Sequence, residues 1–236
     1  FSDTANVQSS ITTNAETVTL IKPSSGGGGG GGGSATLDET VYGTEHNDVL
    51  TGSGTTTLDG LAGNDRYIIN NGNATILGLN TGDAIEIKSD DEQKKVSTTV
   101  SASSISEFVA NNETINHGTI TLISASSGSI INIQNAGEST GSFIILGGLG
   151  QDTLIGGDRD DNIDGGDGND IISGGDGIDI INAGAGADII TIGTAGHGNS
   201  DTVDGGGGAD VLQLSSGAHT FGTDNKLLAV ETVKTD

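Results

Sequence analysis

The chain has 236 residues, with 32 acidic against 8 basic side chains and a formal net charge of −24. That excess argues against nucleic acid or anionic lipid as a partner and favours cations. Cysteine and methionine are absent, which excludes a disulfide framework, a thiol nucleophile and a cysteine-based zinc site; 42 glycines and 3% aromatics rule out a wide conventional core, though not the narrow interior of a solenoid.

Residues 1–25 are rich in Ser, Thr and Asn, and the alternation in Ile11–Ile21 (ITTNAETVTLI) reads as a strand. The chain opens FSDTANVQSS, with neither the basic nor the apolar region of a signal peptide. Gly26–Gly33 follows, eight consecutive glycines within a flexible linker over 26–34. The linker is either a flexible tether with no further meaning or, since a strand so tethered has no evident home on its own body, a device that frees the strand for addition to a neighbouring subunit.

Residues 35–146 form a β-rich region that opens with a short repeat block at 43–68. Gly43–Thr51 (GTEHNDVLT) and Gly60–Ile68 (GLAGNDRYI) both carry aspartate in sixth position, Asp48 and Asp65. The intervening GSGTTTLD is one residue short and puts Thr57 where aspartate belongs. Asp48 and Asp65 should still share one side and one metal site. Beyond the block, strand signals recur at Ala74–Leu79, Ala84–Lys88, Val96–Ser101, Thr119–Ile123, Ser129–Ile133 and Ser142–Leu146. Asp90–Lys95 (DDEQKK) reads as a charged turn, and the capping-box pattern at Ser104–Ala110 predicts a short helix or turn. This middle region should continue the repeat structure or pack beside it.

From Gly147 the chain falls into nines: GGLGQDTLI, GGDRDDNID, GGDGNDIIS, GGDGIDIIN and AGAGADIIT. The sixth residue is always aspartate (Asp152, Asp161, Asp170, Asp179, Asp188), and the eighth is always Leu or Ile. After an excess of four residues, Ile192–Ala195, the frame resumes as GHGNSDTVD and GGGGADVLQ, with Asp201 and Asp210 in sixth position. The unit is the G-G-x-G-x-D-x-U-x nonapeptide of calcium-binding parallel β-helices. Glycine permits tight turns with free carbonyls, aspartate adds a carboxylate where turn meets strand, and Ca²⁺ takes six to eight such oxygens. Without the ion, stacked aspartates would repel one another and glycine-rich turns would be costly to order, so the metal should supply folding energy.

These repeats resemble the RTX (repeats-in-toxin) family of secreted bacterial proteins, over 43–68 and 147–213. The resemblance implies an all-β fold, a parallel β-roll with two nonapeptides per coil and several Ca²⁺ ions held between successive turns. Asp152, Asp170 and Asp188 would stack on one side, with Asp161 and Asp179 on the other. The expected metal residues are these five with Asp48, Asp65, Asp201 and Asp210, and the turn residues Gly148, Gly150, Gly157, Gly166, Gly168, Gly175, Gly177, Gly184 and Gly186. Arg159 replaces the fourth glycine of the second unit, and His197 the second glycine of the sixth; these turns depart from the pattern. Residues 147–214 form the main roll and 215–236 a C-terminal segment.

Enzymatic motifs find little footing. Gly137–Gly141 (GESTG) matches a nucleophile elbow, but SFIIL after it reads as a strand where the motif needs a helix. The four histidines show no metal-ligand spacing, no Walker lysine occurs, and an EF-hand frame on Asp160, Asn162 and Asp164 fails at Ile171, its twelfth position. No apolar run is long enough to span a membrane. The expectation is therefore an extracellular calcium-binding structural protein of the bacterial cell surface (a surface-layer, filament or matrix subunit), non-enzymatic, self-associating and exported unfolded. The alternatives are the C-terminal export and folding module of a type I-secreted enzyme or toxin, and an adhesin segment.

Overall fold

The computed structural model describes residues 10–13, 39–89, 96–192, 201–214 and 227–235. Every regular element among them is a β-strand, wound into a parallel β-solenoid of about eight turns whose C-terminal part is the β-roll. One sheet has fifteen strands and the other seven. The linker at Gly26–Gly33, most of the N-terminal strand signal, the 90–95 turn, His197 and residues 215–226 lie outside the described residues.

The nonapeptide dictates the roll. Residues seven to nine of each unit form a short strand, and its central side chain points inward because side chains alternate along a strand. Ile163 and Ile181 thus align from unit to alternate unit in the larger sheet, joined by Val203. Leu154, Ile172, Ile190 and Leu212 do the same in the smaller one. All seven are at most 1% exposed. The core of the roll is a double file of aliphatics between glycine-rich turns.

The middle region continues the same solenoid. Ser142–Leu149 pairs in parallel with Thr119–Ser124 on one side and Asn162–Asp167 on the other, so repeat-free and repeat-bearing coils share one sheet. In the smaller sheet Ile130–Asn132 joins Glu107–Val109 to Thr153–Ile155. Larger side chains fill this part, with Tyr67 and Phe108 fully buried.

Two local expectations are corrected. Ser104–Ala110 is not helical: Thr99–Ile105 and Glu107–Val109 are strands, and Ser104 (φ 61°) kinks the chain between them. Ile105 and Phe108 both face the core, a burial that outweighs the local capping pattern. The short GSGTTTLD, for its part, lies within the twelve-residue strand Asp48–Asp59, and a register shift at Gly52/Ser53 absorbs its missing residue. The N-terminal strand does have a home on its own body, since Ser10–Thr13 pairs antiparallel with Asp48–Thr51. The other half of that edge is covered by Glu39–Tyr42, parallel to Thr56–Asp59.

Candidate metal centres

The sixth-position aspartates form ladders. On one side of the roll the backbone N–H of Asp152 donates to Asp170 Oδ1 (2.8 Å), that of Asp170 to Asp188 (2.8 Å), and that of Asp188 to Asp210 (2.9 Å). On the other side Asp161 donates to Asp179 (2.9 Å) and Asp179 to Asp201 (3.0 Å). The last step on each side spans 22 residues instead of 18, so the four-residue excess lengthens one coil without breaking either ladder. A third ladder joins Asp48 to Asp65 (2.9 Å). Every expected aspartate therefore sits in a ladder, and all are buried.

In most of these rungs one carboxylate oxygen holds the rung and the other is left over. Asp65, Asp170, Asp179, Asp188 and Asp210 each keep a buried Oδ2 without a hydrogen-bond partner; Asp48 keeps Oδ1, and Asp152 both oxygens. Leaving so many buried carboxylate oxygens unpaired is costly. Burial, reinforced by neighbouring rungs, pushes Asp65 and Asp179 up to about 7 and Asp170 to about 6. Burial also raises Asp152 and Asp188 above the usual carboxylate range.

The surroundings suit a hard cation. A Cβ placed on Gly147 or Gly165 would lie 2.8 and 2.6 Å from the leftover oxygen of Asp152 and Asp170 respectively. At Gly168 (φ 147°) a side chain would also overlap the carbonyl oxygen of Gly150 one coil away. Only glycine brings these turns close enough to stack. Eight of the nine expected turn glycines have positive φ, Gly157 being the exception. Among the described residues no three acidic or histidine side chains converge on a point. A cation here must draw most of its ligands from backbone carbonyls, which Ca²⁺ accepts readily and Zn²⁺ does not.

Two rungs are self-sufficient. Asp161 accepts from the N–H of Phe143 and of Gly157, both at 2.9 Å, and has no leftover oxygen. Its turn carries Arg159, whose Nε donates to Ser139 O (2.7 Å). The guanidinium borders a cavity of about 320 Å³ with Glu138, Asp158 and Phe143. Asp83 accepts from Asp65 N–H (2.7 Å) and Asn80 N–H (2.9 Å). Asp83 escaped the sequence reading, as did Glu231, whose Oε2 accepts from Asp210 N–H (2.7 Å) and ends one ladder. A signal existed for Asp83: it follows Asp65 by eighteen residues and has Ile85 two places on, but the double glycine is missing. Ser139 of the elbow-like GESTG accepts from Asn116 N–H (2.9 Å) and donates to Gly137 O (3.0 Å), so its hydroxyl is engaged in a turn.

The model of the RTX calcium-binding nonapeptide repeat family, which spans four copies of the repeat, matches residues 146–181, 170–194 and 195–218. The chain carries RTX repeats. Those repeats bind calcium, and RTX β-roll domains are generally non-catalytic structural modules. Proteins that carry them are typically exported by type I systems, which points to an extracellular setting. The match takes in both ladders of the roll and leaves out Asp48, Asp65 and Asp83. No curated protein and no solved structure gives a significant match to the chain.

Proposed function

We propose that this protein is an extracellular structural subunit of a bacterial surface layer, filament or matrix, ordered by Ca²⁺ and assembled after export. The observation that carries the calcium half is the set of buried carboxylate oxygens without partners, repeated along the ladders. In this reading Asp48, Asp65, Asp152, Asp170, Asp179, Asp188, Asp201 and Asp210 supply carboxylates, and carbonyls around Gly148, Gly150, Gly166, Gly168, Gly175, Gly177, Gly184 and Gly186 supply the rest. Asp161, Gly157 and the Arg159 turn contribute least, because Asp161 is already satisfied by two N–H groups. Bound Ca²⁺ supplies positive charge between turns that otherwise repel.

Assembly is supported by the N-terminal edge. Ser10–Thr13 reaches Asp48–Thr51 across 34 intervening residues that include eight consecutive glycines. A tether of that composition lets the same strand be exchanged for that of a neighbouring copy, which conserves every hydrogen bond while linking subunits. The test is sedimentation velocity, chelated and then in millimolar Ca²⁺. A slow, expanded species that becomes a fast-sedimenting polymer supports the proposal, and loss of the polymer on deleting residues 1–33 locates the linkage. Compaction to a monomer favours the second reading, an export and folding module of a longer enzyme or toxin, whose supporting observation is the confinement of the family match to 146–218.

A further inference from the structure

The smaller sheet presents an outer face that is uncharged over most of its width and carries exposed aliphatics. Its outward residues form two rows across seven strands in register. One row runs Glu107, Ile130, Thr153, Ile171, Ile189, Val211 and Thr232. The other runs Val109, Asn132, Ile155, Ser173, Thr191, Gln213 and Lys234. Ile130, Ile171 and Ile189 are 43%, 50% and 38% exposed, so these aliphatics lie on the surface. In a chain with 32 acidic residues, ten consecutive outward positions from Ile130 to Gln213 carry no charge. The larger sheet also has an uncharged outward row, Thr121, Ile144, Asn162, Ile180 and Thr202, but Asp164, Asn182 and Asp204 align directly beside it. The uncharged face is bounded by Glu107 on its first strand and Lys234 on its last.

We propose that this face docks a second copy of the same chain, face to face and antiparallel. A two-fold axis parallel to the strands sets the Glu107 strand of each copy against the Lys234 strand of the other, twice over, and places Ile171 of the central strand on the axis. Any other alignment of two such faces leaves Glu107 without its opposite charge. No register shift interrupts these seven strands, whereas the larger sheet has shifts at Gly52/Ser53 and Ala102/Ile105. Constant register keeps both outward rows unbroken across the face. At ordinary strand spacing and rise the strip measures about 29 by 10 Å, well under the roughly 800 Å² per partner of a standard interface. It is therefore a weak lateral contact that gains strength within an assembly. The proposal rests on the assembly reading only in assuming the calcium-loaded fold; it concerns a face, while strand exchange concerns an edge.

The chain has no cysteine, so single cysteines report contacts cleanly. Packed sheets lie about 10 Å apart, beyond the reach of a disulfide, and a short bis-maleimide spans that gap. In millimolar Ca²⁺, Ile171→Cys should cross-link into a covalent dimer about tenfold or more faster than Ile180→Cys on the opposite sheet, because paired thiols meet at a high effective concentration. The advantage should survive deletion of residues 1–33. Ile171→Asp, at a half-exposed site, should keep calcium-driven compaction yet lose concentration-dependent pairing in sedimentation. Equal cross-linking of the two cysteine variants overturns the proposal, as does pairing by Ile171→Asp at wild-type concentration. Loss of cross-linking on deleting 1–33 also overturns it and leaves strand exchange as the contact.

Discussion

The coils before Gly147 and those after it belong to one solenoid, yet they are held together differently. In the roll each half-coil contributes a short strand and one inward aliphatic, such as Ile172 or Ile181. Such a burial is worth about 1.5–3 kcal/mol and is opposed by the ordering of glycine turns and by stacked buried carboxylates. The earlier coils use longer strands, up to twelve residues, with Tyr67 and Phe108 inside. Among them Asp48, Thr56, Asp65, Arg66, Thr114 and Ser124 each keep a buried polar atom without a partner, but many of their polar groups are satisfied within the protein. Asn116, for example, donates from Nδ2 to Ser142 O (2.9 Å) and accepts from Gly118 N–H (2.8 Å). One architecture therefore accommodates coils held mainly by longer strands and a larger apolar interior, and coils whose leftover carboxylate oxygens recur along the ladders.

The largest expected effect is calcium removal. With a chelator, amide hydrogen exchange across 147–213 should lose nearly all protection while strands within 99–146 keep much of theirs. Simultaneous loss in both halves would show that the solenoid is a single cooperative unit and would break the contrast. Next come core truncations. Phe108→Ala should cost about 3–5 kcal/mol and Ile172→Ala about 2–5 kcal/mol in the calcium-loaded protein, read by denaturant unfolding. Only Phe108→Ala should substantially destabilise what persists after chelation.

Within the roll, Asp170→Ala should raise the calcium midpoint by roughly tenfold, about 1.4 kcal/mol. Asp170 has a partnerless oxygen and rungs on both sides. Asp161→Ala should raise it less, since both its oxygens are already filled by N–H groups. Equal shifts in a calcium titration followed by circular dichroism would refute that distinction.

The smallest effect concerns pH without calcium. Asp65 and Asp179 lie at about 7, and Asp161 and Asp170 at about 6, against the usual 3.8. A carboxyl group with a raised value is protonated first in the folded state. The chelated fold is thus least stable above about pH 7, gains stability as pH falls through 7 to 6, and has the full gain below 3.8. Chelated protein taken from pH 8 to 5 should recover part of its β-signal, while calcium affinity falls as protons compete. A monotonic loss of structure over that range would contradict the buried ladders.

Much of the roll was legible because its instructions are local. A nine-residue unit states in its own letters where the turn, the carboxylate and the inward aliphatic fall, and the resemblance to RTX repeats then implied the sides on which Asp152 to Asp188 stack. Asp83 and Glu231 were harder, because a rung needs only a carboxylate in register and their flanks lack the glycine signature. The Ser104–Ala110 segment misled for the opposite reason: its capping pattern is local, whereas the burial of Phe108 depends on strands that arrive later in the chain.

The sequence by itself determined the repeat, its period and the aliphatic file, since each follows from residue type and spacing, while the two-sided arrangement of the aspartates was implied by the resemblance to RTX repeats. Only the tertiary structure decided that the repeat-free middle runs on in the same sheets, that Ser10–Thr13 returns to Asp48–Thr51, and that Asp161 is already satisfied. In a parallel solenoid every backbone partner lies a full coil away, and a carboxylate's second oxygen is filled or left over according to what that distant coil presents.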